Sequence, residues 1–204
     1  DTALRRITLP KTVAVINSLA FKNTKLTSID LTNVNEIGER VFEGCTELLN
    51  VTMSSNVKKL QKNTFYGCAA LTQIDLPTTL TEILEGAFYG SGLECVELPY
   101  SLAKIGVNAF ANCTALQEVT LPESLASIGD YAFLNTAIKS VYIMASVSEI
   151  GNGAFSGCKK ITAFEVSPDN TLYKATADGL LIDVNGALVA YPAGKTTIDL
   201  TGIE

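Results

Sequence analysis

The chain contains no histidine and no tryptophan. Without histidine, the side chain that most often moves protons near neutral pH is missing. The commonest nitrogen ligand for zinc is missing with it. A catalytic site would need carboxylate pairs or a Lys-assisted hydroxyl, and no local cluster suggests either. The chain is read as non-enzymatic, with no cofactor and no metal. Charge is also scarce. Only 18% of residues are charged, and 21 acidic residues against 15 basic ones leave a net charge of −6. Nucleic-acid recognition needs a basic stripe, so that class of partner is excluded. No stretch approaches the roughly 18 apolar residues of a membrane-spanning helix, so no transmembrane segment is expected. No run of Gly, Ser or Pro marks a linker.

What the sequence has instead is a column of phenylalanines. Phe21, Phe42, Phe65, Phe88, Phe110, Phe133 and Phe155 recur every 21 to 23 residues and account for seven of the eight Phe. Aligned on them, three consecutive copies read LTQIDLPTTLTEILEGAFYGSG, LECVELPYSLAKIGVNAFANCTA and LQEVTLPESLASIGDYAFLNTA. The shared frame is L-x-x-[IV]-x-L-P-x-x-L-x-x-I-G-x-x-A-F-x-[GN]-[CTS]. Copies start at Leu4, Leu26, Leu48, Leu71, Leu93, Leu116 and Ile138, with an irregular eighth at Ile161. Units this small cannot bury their own apolar face and must stack to share one core. Steps of 22 or 23 residues fit a leucine-rich repeat and are too short for helical pairs.

Each part of the frame has a mechanical reading. The I-x-L core alternates apolar and polar residues, the signal of a half-buried strand. Pro10, Pro77, Pro99 and Pro122 follow it and end it, because proline offers no amide to a ladder. The next L-x-x-I sends two more apolar residues inward along a short extended or turning segment. Gly38, Gly106, Gly129 and Gly151 are expected to turn a corner with positive φ. G-x-x-A-F is too short for an independent helix and is read as one helical or 3₁₀ turn. Successive strands should pair in parallel about 4.8 Å apart, giving eight strands a stack of roughly 34 Å.

The corner after Phe comes in two lengths. Copies with Cys45, Cys68, Cys113 and Cys158 reach the next apolar residue six positions after Phe, whereas those with Thr24, Ser91 and Thr136 reach it after five. Copy two also shortens the Leu31-to-Val34 segment by one residue. The four corner cysteines read as small core groups interchangeable with Thr and Ser. No C-x-x-C pair occurs, and nothing in the pattern sets disulfide geometry.

After Phe164 the repeat breaks. Asn185-Gly186 between two alternating runs is a hairpin signal, so residues 180–191 are read as an inserted β-hairpin. Gly194-Lys195-Thr196 resembles the end of a P-loop, but the first glycine is missing and a strand follows. Asp183-x-Asn185-Gly186 resembles a fragment of a calcium loop without its closing Glu. Both are read as turns. The expected organisation is repeats over 1–166, an irregular repeat with the hairpin over 167–194, and the start of a further repeat over 195–204. Neither end carries a polar cap, which suggests a segment of a longer protein whose export signal has been removed.

With these residues in view, the frame and its SPDN…Y…DG-L…YPAGKT interruption resemble the BspA-like leucine-rich repeat family. The resemblance implies an α/β fold: a right-handed leucine-rich-repeat solenoid with a parallel β-sheet on the concave face and short extended or 3₁₀ turns on the convex side. It implies a cell-surface or secreted location, as in proteins of host-associated bacteria, and a protein-binding or adhesive role toward host extracellular proteins. It carries over no binding residue, because the family motif describes the core.

Strand alternation supplies the candidate surface. If Ile and Leu of I-x-L point inward, the residue between them faces out. That row reads Thr8, Asp30, Thr52, Asp75, Glu97, Thr120, Tyr142, Glu165 and Asp199. Beside it lie Arg6, Ser28, Asn50, Gln73, Cys95, Glu118, Ser140 and Ala163. Together they make a polar, mildly acidic platform suited to a protein with a basic patch. A glycan-binding module is the alternative, for which exposed aromatics would be expected and Tyr142 is the one candidate. An architectural spacer in a larger surface protein is a third reading.

Overall fold

A computed structural model describes residues 3–197, which form sixteen short strands and, among the described residues, no helix of any kind. The first coil holds β1 (Val15–Ile16). The second holds β2 (Ser28–Asp30) and β3 (Glu36–Ile37), and the third β4 (Asn50–Thr52) and β5 (Lys59–Leu60). The fourth contributes only β6 (Glu82–Ile83). Coils five and six hold β7 (Cys95–Glu97), β8 (Lys104–Ile105), β9 (Glu118–Thr120) and β10 (Ser127–Ile128). The seventh holds β11 (Val141–Ile143) and β12 (Glu149–Ile150), and β13 (Phe164–Val166) opens the eighth. Three further strands follow: β14 (Tyr173–Ala175), β15 (Leu181–Asp183) and β16 (Leu188–Ala190).

All pairings between coils are parallel, and they fall in two columns rather than one. The I-x-L strands pair only as β2–β4, β7–β9 and β11–β13. The longer ladder runs through L-x-x-I: β5, β6, β8, β10 and β12 form one five-stranded sheet, with β1–β3 below it. Corner length tracks where the first column closes. Coils entered through the short corners at Thr24, Ser91 and Thr136 are coils two, five and seven. Each pairs with the coil after it and not with the coil before it. Every closed rung therefore joins a coil with a short entry to one with a long entry.

The segment around each Phe is not helical, and the reason lies in its backbone. In all seven coils the residues two before and two after Phe have positive φ, from Leu19 and Asn23 in the first to Gly153 and Gly157 in the seventh. A left-handed residue every fourth position cannot belong to an α- or 3₁₀-helix. The N–H groups between them close successive turns, as Ala109 to Gly106, Ala111 to Asn108 and Cys113 to Phe110. The remaining amides point along the stack. At each of six steps the N–H groups of Phe−2, Phe and Phe+2 donate to carbonyls of the next coil at 2.7–3.1 Å. This satisfies the donors that the tight turns leave over. The expected helical corner is thus a third ladder. The glycines before it also act differently from expectation. Gly106 and Gly129 do not have positive φ; a Cβ on Gly129 would lie 2.6 Å from backbone atoms of Gly106 and Val107, and one on Gly106 would lie 2.8 Å from Glu85 N. They permit close approach of coils.

The Phe rings stack inside this ladder with centroids 5.3–5.7 Å apart and planes within 12°. Phe42, Phe65, Phe88, Phe110 and Phe133 are fully buried. Phe164, on β13 at the strand position that Val141 holds in the coil before, closes the Phe column by packing on Phe155 with its ring tilted 59°. The four corner thiols are buried beside it, and each donates to the carbonyl of the previous coil's Phe, as Cys113 to Phe88 O at 3.0 Å. Burial pushes the Cys113 thiol up to about 11, and the other three also rise. Cys95, by contrast, is exposed.

The C-terminal segment is a three-stranded antiparallel sheet, β14–β15–β16, rather than a lone hairpin. Asn170 donates to Met144 O and Val147 O, and Tyr173 Oη accepts the Ile150 N–H, which docks this sheet against coil seven. Asp183 caps its own turn through the N–H groups of Asn185 and Ala187, and Lys195 is tied to Asp178. Both motif lookalikes are turn chemistry. The strand expected around Asp199 lies outside the described residues.

Three outcomes follow from this packing. Phe88→Ala should lower stability by about 3–5 kcal/mol in equilibrium chemical denaturation, because a fully buried ring leaves a cavity. Gly129→Ala should cost about 1–3 kcal/mol in the same measurement, since neighbouring backbone must move. Native protein should expose one of its five thiols to a disulfide reagent and all five in denaturant, because only Cys95 is accessible.

Candidate interaction surfaces

The seven residues predicted on the I-x-L face, Asp30, Thr52, Asp75, Glu97, Thr120, Tyr142 and Glu165, are all exposed, as alternation requires. Three cross-strand pairs bring six of them together: Asp30 with Thr52, Glu97 with Thr120, and Tyr142 with Glu165. Asp75 stands apart on coil four, where no I-x-L strand forms. The Asp30 carboxylate accepts from the Thr32 hydroxyl and N–H, and these bonds hold it below the usual carboxylate range. Asp75, Glu97 and Glu165 make no ion pair among the described residues.

Where the first-column ladder is open between coils four and five, a groove of about 470 Å³ forms. Ile74, Leu76, Val96 and Leu98 line it together with Asp75 and Glu97. Tyr100 also lines it, 75% exposed. Sequence alternation singles out only Tyr142 as an exposed aromatic and misses Tyr100. The signal was available: it follows Pro99 directly, where the residue after a strand-ending proline must leave the sheet.

The second column presents a face that the sequence reading did not assign. Its outward row is Glu36, Lys59, Glu82, Lys104, Ser127 and Glu149. Lys59 pairs with Glu82 at 2.7 Å, and Ser127 donates to Glu149 at 2.7 Å. Opposite charges on facing strands stabilise such a ladder modestly, by about 0.2–1 kcal/mol per pair. On the turn side Lys62 pairs with Glu85 at 2.8 Å, and Tyr66 stacks on Tyr89 at 4.7 Å. Among the described residues no three His, Cys, Asp or Glu side chains converge to hold a metal ion. Nor is any described helix long and apolar enough to cross a membrane.

Similarity to known proteins accords with this architecture. The family description "BspA type Leucine rich repeat region (6 copies)" matches residues 1–91 and 35–162. A leucine rich cell surface protein from Faecalibacterium prausnitzii A2-165 is similar, with 32% identity and a TM-score of 0.77 over 94% of this chain and 55% of that one. A leucine-rich repeat protein from Eubacterium ventriosum shares 27% identity, with a TM-score of 0.67 over 74% of this chain and 40% of that one. The leucine-rich repeat protein of T. pallidum shares 26% identity, with a TM-score of 0.63 over 73% of this chain and 72% of that one. The chain thus spans about half the length of the F. prausnitzii protein and less of the E. ventriosum one. No curated protein matches it. With six repeat copies matched and a solenoid of about seven turns in common, the chain belongs to the BspA-type leucine-rich repeat family.

Proposed function

We propose that this chain is a non-enzymatic, surface-displayed scaffold that binds a protein partner through its I-x-L face. The observation that carries the reading is the groove between coils four and five. Its apolar floor is rimmed by Asp75 and Glu97, which among the described residues have no cationic neighbour in an ion pair. Carboxylates left uncompensated on a platform favour a partner with basic residues, and such contacts set association rate and salt sensitivity more than affinity. A surface location is favoured by the similar F. prausnitzii protein, which is described as a cell surface protein. In this reading residues 1–166 act as one repeat body, and 167–194 form an irregular repeat packed on its end.

Reversing charge with Asp30→Lys, Asp75→Lys and Glu97→Lys together tests the face. In pull-downs from host extracts, bands retained by the native chain should be lost with the triple variant and should weaken as salt is raised. Bands that survive unchanged in the variant would remove this face from consideration.

A further inference from the structure

The second column is continuous from coil three to coil seven and closed between coils one and two, but it is interrupted once, between coils two and three. At every other step of this column, the residue after the column's Ile donates its N–H to the Ile or Leu carbonyl of the coil before, as Leu84 to Leu60 and Gly106 to Ile83. At the interrupted step the N–H groups of Lys58, Lys59 and Gln61 find no partner on coil two. The carbonyls of Asn35 and Ile37 likewise receive no bond. Coil two is also one residue short between Leu31 and Val34, and its β3 pairs with β1 but not with β5. Both neighbouring columns remain closed at this step: β2 pairs with β4, and Arg40, Phe42 and Gly44 donate to coil three. The opening is therefore a wedge confined to one face, and a groove of about 670 Å³ lies in it. That volume is in the range of small-ligand sites.

We infer that this wedge binds a neutral saccharide. The groups left free comprise three donors and two acceptors of the main chain, and the amide side chains of Asn35, Asn56 and Gln61 line the same groove. Asn56 already reaches across the break to Asn35, Nδ2 to Oδ1 at 2.9 Å. A ligand must both give and accept hydrogen bonds at closely spaced points, which vicinal hydroxyls do. Charge selects against ions. The lining carries two charges of each sign, Glu36 and Glu39 against Lys58 and Lys59, and Lys59 is drawn to Glu82 at 2.7 Å. Val15, 52% exposed, supplies an aliphatic surface for the C–H face of a sugar ring. An extended peptide strand is disfavoured, because it needs about 4.8 Å to each neighbour and the flanking columns hold these two coils in direct contact. The site is separate from the I-x-L face and does not depend on it.

An amide NMR titration with maltose, cellobiose, lactose and chitobiose at millimolar concentration tests this. At least one disaccharide should shift the Lys58, Lys59 and Gln61 amides saturably, and added salt should leave the affinity unchanged. Asn35→Ala with Asn56→Ala should weaken that binding by about tenfold or more through two lost hydrogen bonds, and Gln61→Ala alone by about threefold to tenfold. Asp75→Lys on the other face should leave it intact. Absence of a saturable shift with all four sugars overturns the inference. So does an equal response to glycerol or trilysine, or undiminished binding in the folded Gln61→Ala chain.

Discussion

Everything in this molecule hangs on how the backbone disposes of its amides around each buried Phe. Two left-handed residues flank the ring at fixed distance, so alternate N–H groups leave the turn and reach the next coil. Left-handed backbone costs about 1–2 kcal/mol at a residue with a Cβ. Coils one, two and six meet that cost with Leu19, Arg40 and Tyr131, where others use Gly or Asn. The ladder that results is closed at all six steps, whereas both strand columns have gaps. The Phe stack and its ladder therefore set the coil spacing, and the strands accept the spacing they are given.

That order of control explains where the surface features lie. With the turn side fixed, differences in corner length must be absorbed on the other two faces. A short corner opens the I-x-L ladder below coils two, five and seven, and the second column is open above coil two, the coil that is one residue short. Three of the grooves lie at such openings, including the two that carry the functional readings. The repeat motif alone cannot encode a ligand, since it specifies the core. Departures from the motif free backbone groups, its variable positions expose side chains such as Tyr100 and Asn56, and both differ from one coil to the next.

Much of this was legible before any coordinates. The Phe period gave the stack, and strand alternation gave the exposed I-x-L row from Asp30 to Glu165. Asn185-Gly186 gave the β15–β16 hairpin. The second column was hidden because its strands are two residues long, too short to show a period of two. The helical reading of G-x-x-A-F failed because only one of its two left-handed positions has a clear signature. At Phe+2 the residues are Asn23, Gly44, Gly67, Gly90, Asn112, Asn135 and Gly157, all tolerant of positive φ. At Phe−2, Leu, Arg and Tyr mask the same requirement. The closing role of Phe164 was invisible because it sits in the strand register and meets the column only through the fold.

Amide hydrogen exchange measured residue by residue tests the central claim most directly. If the ladder around Phe fixes the coils, the N–H groups of Phe42, Phe65, Phe88 and Phe110 should be among the slowest to exchange. They should outlast the strand amides of both columns, including Leu84 and Gly106 in the five-stranded sheet. Phe amides that exchange ahead of those strand amides would contradict the account and make the sheets, not the turns, the element that sets the stack.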